Sequence, residues 1–149
     1  MDNQDHVIKL QQERERRQNL DDKKDALAKR VYELVNRTLE NDQRNLPDPA
    51  QLQNLRSLAA GTDSLEELKI YILYQMSRPG RAPISPQFGR LLVGIIEELA
   101  QLAQEERPVE QVRLLLGYLY RYARYARRDN QPTSGGAPRQ SGNRSGGNR

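Results

Sequence analysis

Residues 86–102 read PQFGRLLVGIIEELAQL and set Phe88, Leu91, Leu92, Ile95, Ile96, Leu99 and Leu102 at steps of three and four. A helix turns once per 3.6 residues, so this spacing gathers the apolar side chains into one stripe and leaves the other faces polar. Ser85 before Pro86 supplies a cap followed by a proline at the first helical position, where no N–H is needed. Upstream, SRPGRAPIS at 77–85 holds prolines and a glycine that forbid regular structure, so it reads as a loop, made basic by Arg78 and Arg81. Downstream, Arg107-Pro108 breaks the pattern and opens a further helix with Val112, Leu115, Leu116, Leu119, Ala123 and Ala126 on its core face, ending near Asp129.

The rest of the chain extends the same pattern. Ser64-Leu65-Glu66-Glu67 is a capping box; the helix it opens puts Leu65, Leu68, Ile72 and Gln75 on one side and Ile70, Tyr71, Leu73 and Tyr74 over much of the remainder. Asp48-Pro49 repeats cap plus proline before Leu52, Leu55, Leu58 and Ala59, with Gly61 as a stop. Leu20, Leu27 and Leu34, joined by Val31, Val35 and Leu39, form an apolar face between about 20 and 41. Residues 2–19 are almost wholly polar, and Gln11 to Gln18 (QQERERRQ) favours helix by propensity but has little to bury. No segment keeps a two-residue alternation, so no strand is expected, and no internal repeat is evident. The expected fold is all-α: a compact bundle of about five helices over 20–129, a polar extension over 1–19 that is frayed helix or disordered, and a disordered Gly/Ser/Arg tail over 130–149.

Composition narrows the chemistry. The 149 residues fit one domain, with 36% hydrophobic and 30% charged side chains. There is no cysteine and one histidine, His6, which rules out disulfides, thiolate zinc sites and a Cys-His nucleophile. The acidic start, Met1 to Asp5, leads into no apolar run of signal type, and the greasiest stretch, Leu91 to Ile96, is far too short to span a bilayer; a soluble cytoplasmic protein without membrane contact is expected. The pairs Glu66-Glu67, Glu97-Glu98 and Glu105-Glu106 are helix neighbours that diverge by about 100°, so they read as solvated surface rather than as dyads. Gly135-Gly136 has no phosphate-loop lysine beside it. Neither an enzyme site nor a cofactor or metal is expected.

Charge is distributed unevenly. Residues 1–110 carry 16 basic and 19 acidic side chains, whereas residues 111–149 carry eight arginines and a single acid, Asp129. On a helical projection of the last helix, Arg113, Gly117, Arg121, Arg124 and Arg128 fall opposite the core face, Tyr118 and Tyr125 lie at the edge of that side, and Arg127 flanks it. An ordinary solvated face mixes signs, and this one does not. Arginine bonds phosphate with a planar fork, and tyrosine offers a ring on which an unpaired base stacks, so the pattern points to nucleic acid, foremost single-stranded RNA. Arg78, Arg81 and Arg90 form a second basic group near the loop. Arg139, Arg144 and Arg149 continue the charge into the tail, which reads either as a nonspecific nucleic-acid binder or as an inert linker. Tyr71, Tyr74, Leu114 and Tyr120 are candidates for exposure to a protein partner.

Three segments, SLEELKIYILYQMSR at 64–78, QFGRLLVGIIEELA at 87–100 and LLLGYLYRYARYARR at 114–128, resemble the small helical subunit of type III CRISPR effector complexes. The resemblance covers about Leu52 to Arg128; the charged N-terminal segment and the Gly/Ser/Arg tail are additions to the family pattern. It implies a non-catalytic subunit of a ribonucleoprotein for antiviral defence, with self-stacking copies beside the guide–target RNA duplex and other subunits of the effector complex as partners. The residues it implies for the RNA channel are Arg121, Arg124 and Arg128, with Arg78, Arg81 and Arg90. The residue pattern alone also admits an independent single-stranded RNA- or DNA-binding protein and a helical protein-interaction adaptor.

Overall fold

The computed structural model describes residues 2–102 and 107–130; the expectations for Glu105-Glu106, Gly135-Gly136 and the tail from 131 lie outside the described residues. Among the described residues five helices follow one another: α1 (Asn3–Asn41), α2 (Pro49–Gly61), α3 (Leu65–Ser77), α4 (Pro86–Leu102) and α5 (Pro108–Asn130), with a 3-10 turn at Gln43–Asn45. No strand occurs among the described residues. The fold is an all-α bundle.

Helix α1 is continuous, and residues 3–19, expected as frayed helix or disordered, are drawn as the first half of this 39-residue helix. Good helix formers and pairs one turn apart sustain it: Arg17 to Glu13 at 3.1 Å and the Gln18 amide to Asp22 at 3.1 Å. Residues 3–26 are all exposed, and burial begins only at Leu27. Those residues therefore form an arm of about 36 Å at 1.5 Å per residue. Leu20, expected on the core face, is exposed because α1 runs on past the end of its neighbours. From Leu27 onward the expected stripe is buried as Leu27, Val31, Leu34 and Val35, and the Thr38 hydroxyl, also buried, donates to the Leu34 carbonyl at 2.7 Å.

Local chemistry sets the breaks. Asp48 caps α2 by accepting the Gln51 N–H at 2.9 Å, and Pro49 follows it. Asp48→Ala removes this acceptor and is expected to cost about 1 kcal/mol, read as a lower urea midpoint with an unchanged slope. Ser64 accepts the Glu67 N–H at 3.2 Å, but the return half of the capping box runs through Thr62: its hydroxyl donates to Glu67 Oε2 at 2.8 Å and accepts the Ser64 N–H at 3.0 Å. Ser85 caps α4 through the Phe88 N–H at 3.2 Å and also donates to the Asn45 carbonyl at 3.1 Å, tying the turn after α1 to the start of α4.

Helix α5 is central, packing mainly on α2 and α1 and less on α4, while α3 packs on α4. Leu55, Leu68, Ile72, Ile84, Phe88, Leu92, Ile96, Leu115 and Leu119 are all buried in one continuous core. The stripe on α4 thus faces inward as its spacing requires. Gly89 lets α4 approach α3 closely, since a Cβ there would stand 2.6 Å from Met76 Cγ.

Candidate nucleic-acid interface

Burying Val112, Leu115, Leu116, Leu119, Ala123 and Ala126 turns the opposite side of α5 to solvent. Arg121, Arg124 and Arg128 are exposed there, and Tyr125 is 62% exposed beside them. No acid stands on α5 between Glu110 and Arg128, so the outer face is positive from Arg121 to Arg128.

Tyr125 belongs to a row of rings. It stacks on Tyr122 with centroids 6.1 Å apart, and Tyr122 meets Tyr32 of α1 edge-on at 4.7 Å. The Tyr122 hydroxyl donates to Asn36 Oδ1 at 2.8 Å, which fixes that ring. On the α2 side, Arg56 sits over the Tyr120 ring at 5.1 Å and Arg124 donates to the Tyr120 hydroxyl at 3.3 Å. The sequence reading missed Tyr32, Asn36, Arg56 and Tyr122. Tyr122 lies one turn from Tyr118 and from Tyr125, a signal within reach, but the α1 and α2 residues belong to the site only because those helices pack beside α5.

Two arginines read from the projection as part of the free face are instead held by the fold. Arg113 donates to the Ala59 carbonyl at 2.7 Å, the Thr62 carbonyl at 2.9 Å and Asp63 at 3.4 Å. It thereby answers the unpaired carbonyls and the negative dipole end of α2. Arg113→Met keeps much of the stem and deletes the guanidinium; it is expected to lower stability by about 1–3 kcal/mol in denaturant titration while leaving Arg121, Arg124 and Arg128 in place. Arg127 donates to the Leu46 carbonyl at 2.5 Å and to the Pro47 carbonyl, satisfying a segment with no helical partners. Burial pushes Arg127 below the ordinary arginine value; Asp48 opposes the shift and Arg81 adds to it. Tyr118 is half-buried and packs against the core.

The loop arginines separate. Arg81 reaches the C-terminal end of α5, lining the same hollow as Arg127. Arg90 instead faces α1, where two adjoining hollows of about 280 and 240 Å³ share Arg37, Arg90 and Leu91. An ion pair between Arg30 and Glu98 bridges α1 and α4 in this groove. Arg78 follows the last turn of α3 and is exposed. Among the residues expected to meet a protein partner, Tyr74 and Leu114 are exposed, whereas Tyr71 and Tyr120 are half-buried against the core. Ile70 and Leu73 join Tyr74 to make an apolar surface on α3.

Among the described residues, no three His, Asp or Glu side chains cluster to hold a metal, and no helix is long and apolar enough to cross a membrane. His6 stands exposed on the arm of α1. Set against known proteins, the chain matches no family model, no curated protein and no solved structure.

Proposed function

We propose that this protein is a non-catalytic, RNA-contacting subunit of a larger ribonucleoprotein assembly and, following the resemblance of 64–78, 87–100 and 114–128, the small subunit of a type III CRISPR effector. The observation that carries the reading is the outer face of α5, where Arg121, Arg124 and Arg128 stand exposed beside Tyr125 with no intervening acid. Guanidinium groups suit phosphates, and the ring suits a base. The apolar surface of Ile70, Leu73 and Tyr74 supports the subunit part of the reading, because large exposed apolar residues in a row suit a protein neighbour.

The row Tyr32–Tyr122–Tyr125 favours a second reading, an independent single-strand binder, since successive rings suit unpaired bases better than a duplex. Affinity purification of the tagged chain from its native host, with protein and RNA both identified, separates the two. Large subunits and short repeat-derived RNAs in fixed ratio support the effector subunit. The chain alone with mixed cellular RNA contradicts it and favours the independent binder.

A further inference from the structure

The caps of two helices open onto one hollow. Asp48, which starts α2, and Ser85, which starts α4, both line a pocket of about 500 Å³ together with Arg44, Arg81 and Arg127. Three guanidinium groups and one carboxylate, that of Asp48, thus share a single concavity. Two acids stand nearby and keep their charges, so Arg44, Arg81 and Arg127 outnumber Asp42 and Asp48 by one. Asp42 pairs with Arg44 at 3.1 Å, and Asp48 turns Oδ1 onto the Gln51 N–H at 2.9 Å. Among the described residues neither Arg81 nor Arg127 forms a salt bridge. Arg127 is held rigidly by the Leu46 and Pro47 carbonyls, and Arg81 is brought beside it by the loop that turns at Gly80, whose φ of 78° is natural only to glycine. Arg81 and Arg127 disfavour each other's charge, Asp48 opposes that effect at Arg127, and an anion between the two arginines adds to the relief.

We infer that this pocket binds a phosphomonoester, the terminal phosphate of a nucleic-acid strand or of a nucleotide. The choice of a phosphate ester rests on the proposed role in RNA binding; the residues are different from those of the α5 outer face. A concave hollow receives an end, whereas a continuous strand follows an outer surface. A monoester also carries close to two negative charges at neutral pH against one for a backbone diester, which suits Arg81 and Arg127, two guanidinium groups that form no salt bridge among the described residues. Arg44, Arg81 and Arg127 all line the pocket, and Arg81 and Arg127 are the groups that would bond the phosphate oxygens.

The test measures binding of the full chain to RNA oligonucleotides identical except for a 5′-phosphate, a 3′-phosphate or hydroxyls at both ends, and to a nucleoside monophosphate. One phosphorylated strand is expected to bind at least tenfold more tightly than the hydroxyl strand, and Arg81→Glu, an exposed loop change, to abolish the difference with the helical spectrum unchanged. A monophosphate that binds as tightly as the strand identifies a free nucleotide as the ligand; one that binds more weakly identifies a strand end. The triple change of Arg121, Arg124 and Arg128 to glutamate lowers all strand affinities yet keeps the ratio. If no RNA binds but the monophosphate does, and Arg81→Glu removes it, the proposed function falls and the pocket assignment stands. Equal binding of all three strands, or a preference that survives Arg81→Glu, overturns the assignment.

Discussion

Replacing Arg121, Arg124 and Arg128 together with glutamate is expected to weaken RNA binding by about 100-fold at low salt. The reason lies in counterions as much as in contacts. Each arginine that neutralises a phosphate on a single strand releases a condensed cation, adding about 0.7 to the slope of log affinity against log salt. Three lost contacts therefore remove about 2 from that slope, and three glutamates add repulsion where attraction stood. All three residues are exposed and, among the described residues, none donates to a backbone carbonyl, so the fold is expected to persist. The measurement is a salt titration of binding for the parent and the triple variant. A variant with unchanged slope places the phosphates elsewhere on the molecule. Arg113→Met, by contrast, is expected to change stability and not the slope, because Arg113 already holds the last carbonyls of α2.

Phe88→Ala is expected to cost about 3–5 kcal/mol of stability. Phe88 is 0% exposed and belongs to the continuous core that also holds Leu55, Ile72, Ile84 and Leu92. Truncation forfeits the transfer free energy of the ring and leaves a cavity that close-packed neighbours fill only in part. A small bundle holds about 5–15 kcal/mol in total, so the variant loses a large fraction of its stability. Urea unfolding followed by helical circular dichroism reads the effect, with the arm of α1 contributing signal but little cooperativity. A loss below about 1 kcal/mol contradicts the packing of α4 described above.

The parts of the fold legible in the sequence were those fixed within a few residues. Asp48, Ser64 and Ser85 were readable as caps because a cap needs only its own side chain and an N–H three residues on. The stripe Phe88, Leu92, Ile96 was readable because helical period alone decides which face can be buried. Leu20 was misplaced on the core face because its exposure depends on where α4 and α5 end, a property of the neighbours rather than of α1. The continuity of α1 escaped for a related reason: the arm is held by propensity and pairs such as Glu13–Arg17, not by burial, and burial is what a hydrophobic pattern reports.

The candidate site divides along the same line. The exposure of Arg121, Arg124, Tyr125 and Arg128 followed from projecting one helix. Arg113 and Arg127 project outward or to the flank on the same wheel, yet long side chains reach sideways to the Ala59 and Leu46 carbonyls, and those acceptors come from other parts of the chain. Tyr32 and Tyr122 meet only because α1 lies against α5. Likewise, Arg81 and Arg127 are 46 positions apart in sequence and share one pocket because the loop before α4 closes over the end of α5.

The most direct test of the central claim, that nucleic acid lies along the outer face of α5, is photocrosslinking of the full chain to a single-stranded RNA containing 4-thiouridine, with the modified peptides mapped by mass spectrometry. The account predicts crosslinks concentrated between Arg121 and Arg128, with Tyr125 the principal acceptor, since its ring is the most exposed of the Tyr32–Tyr122–Tyr125 row. Crosslinks confined to the arm of α1 or to residues 131–149, with none on α5, would contradict it.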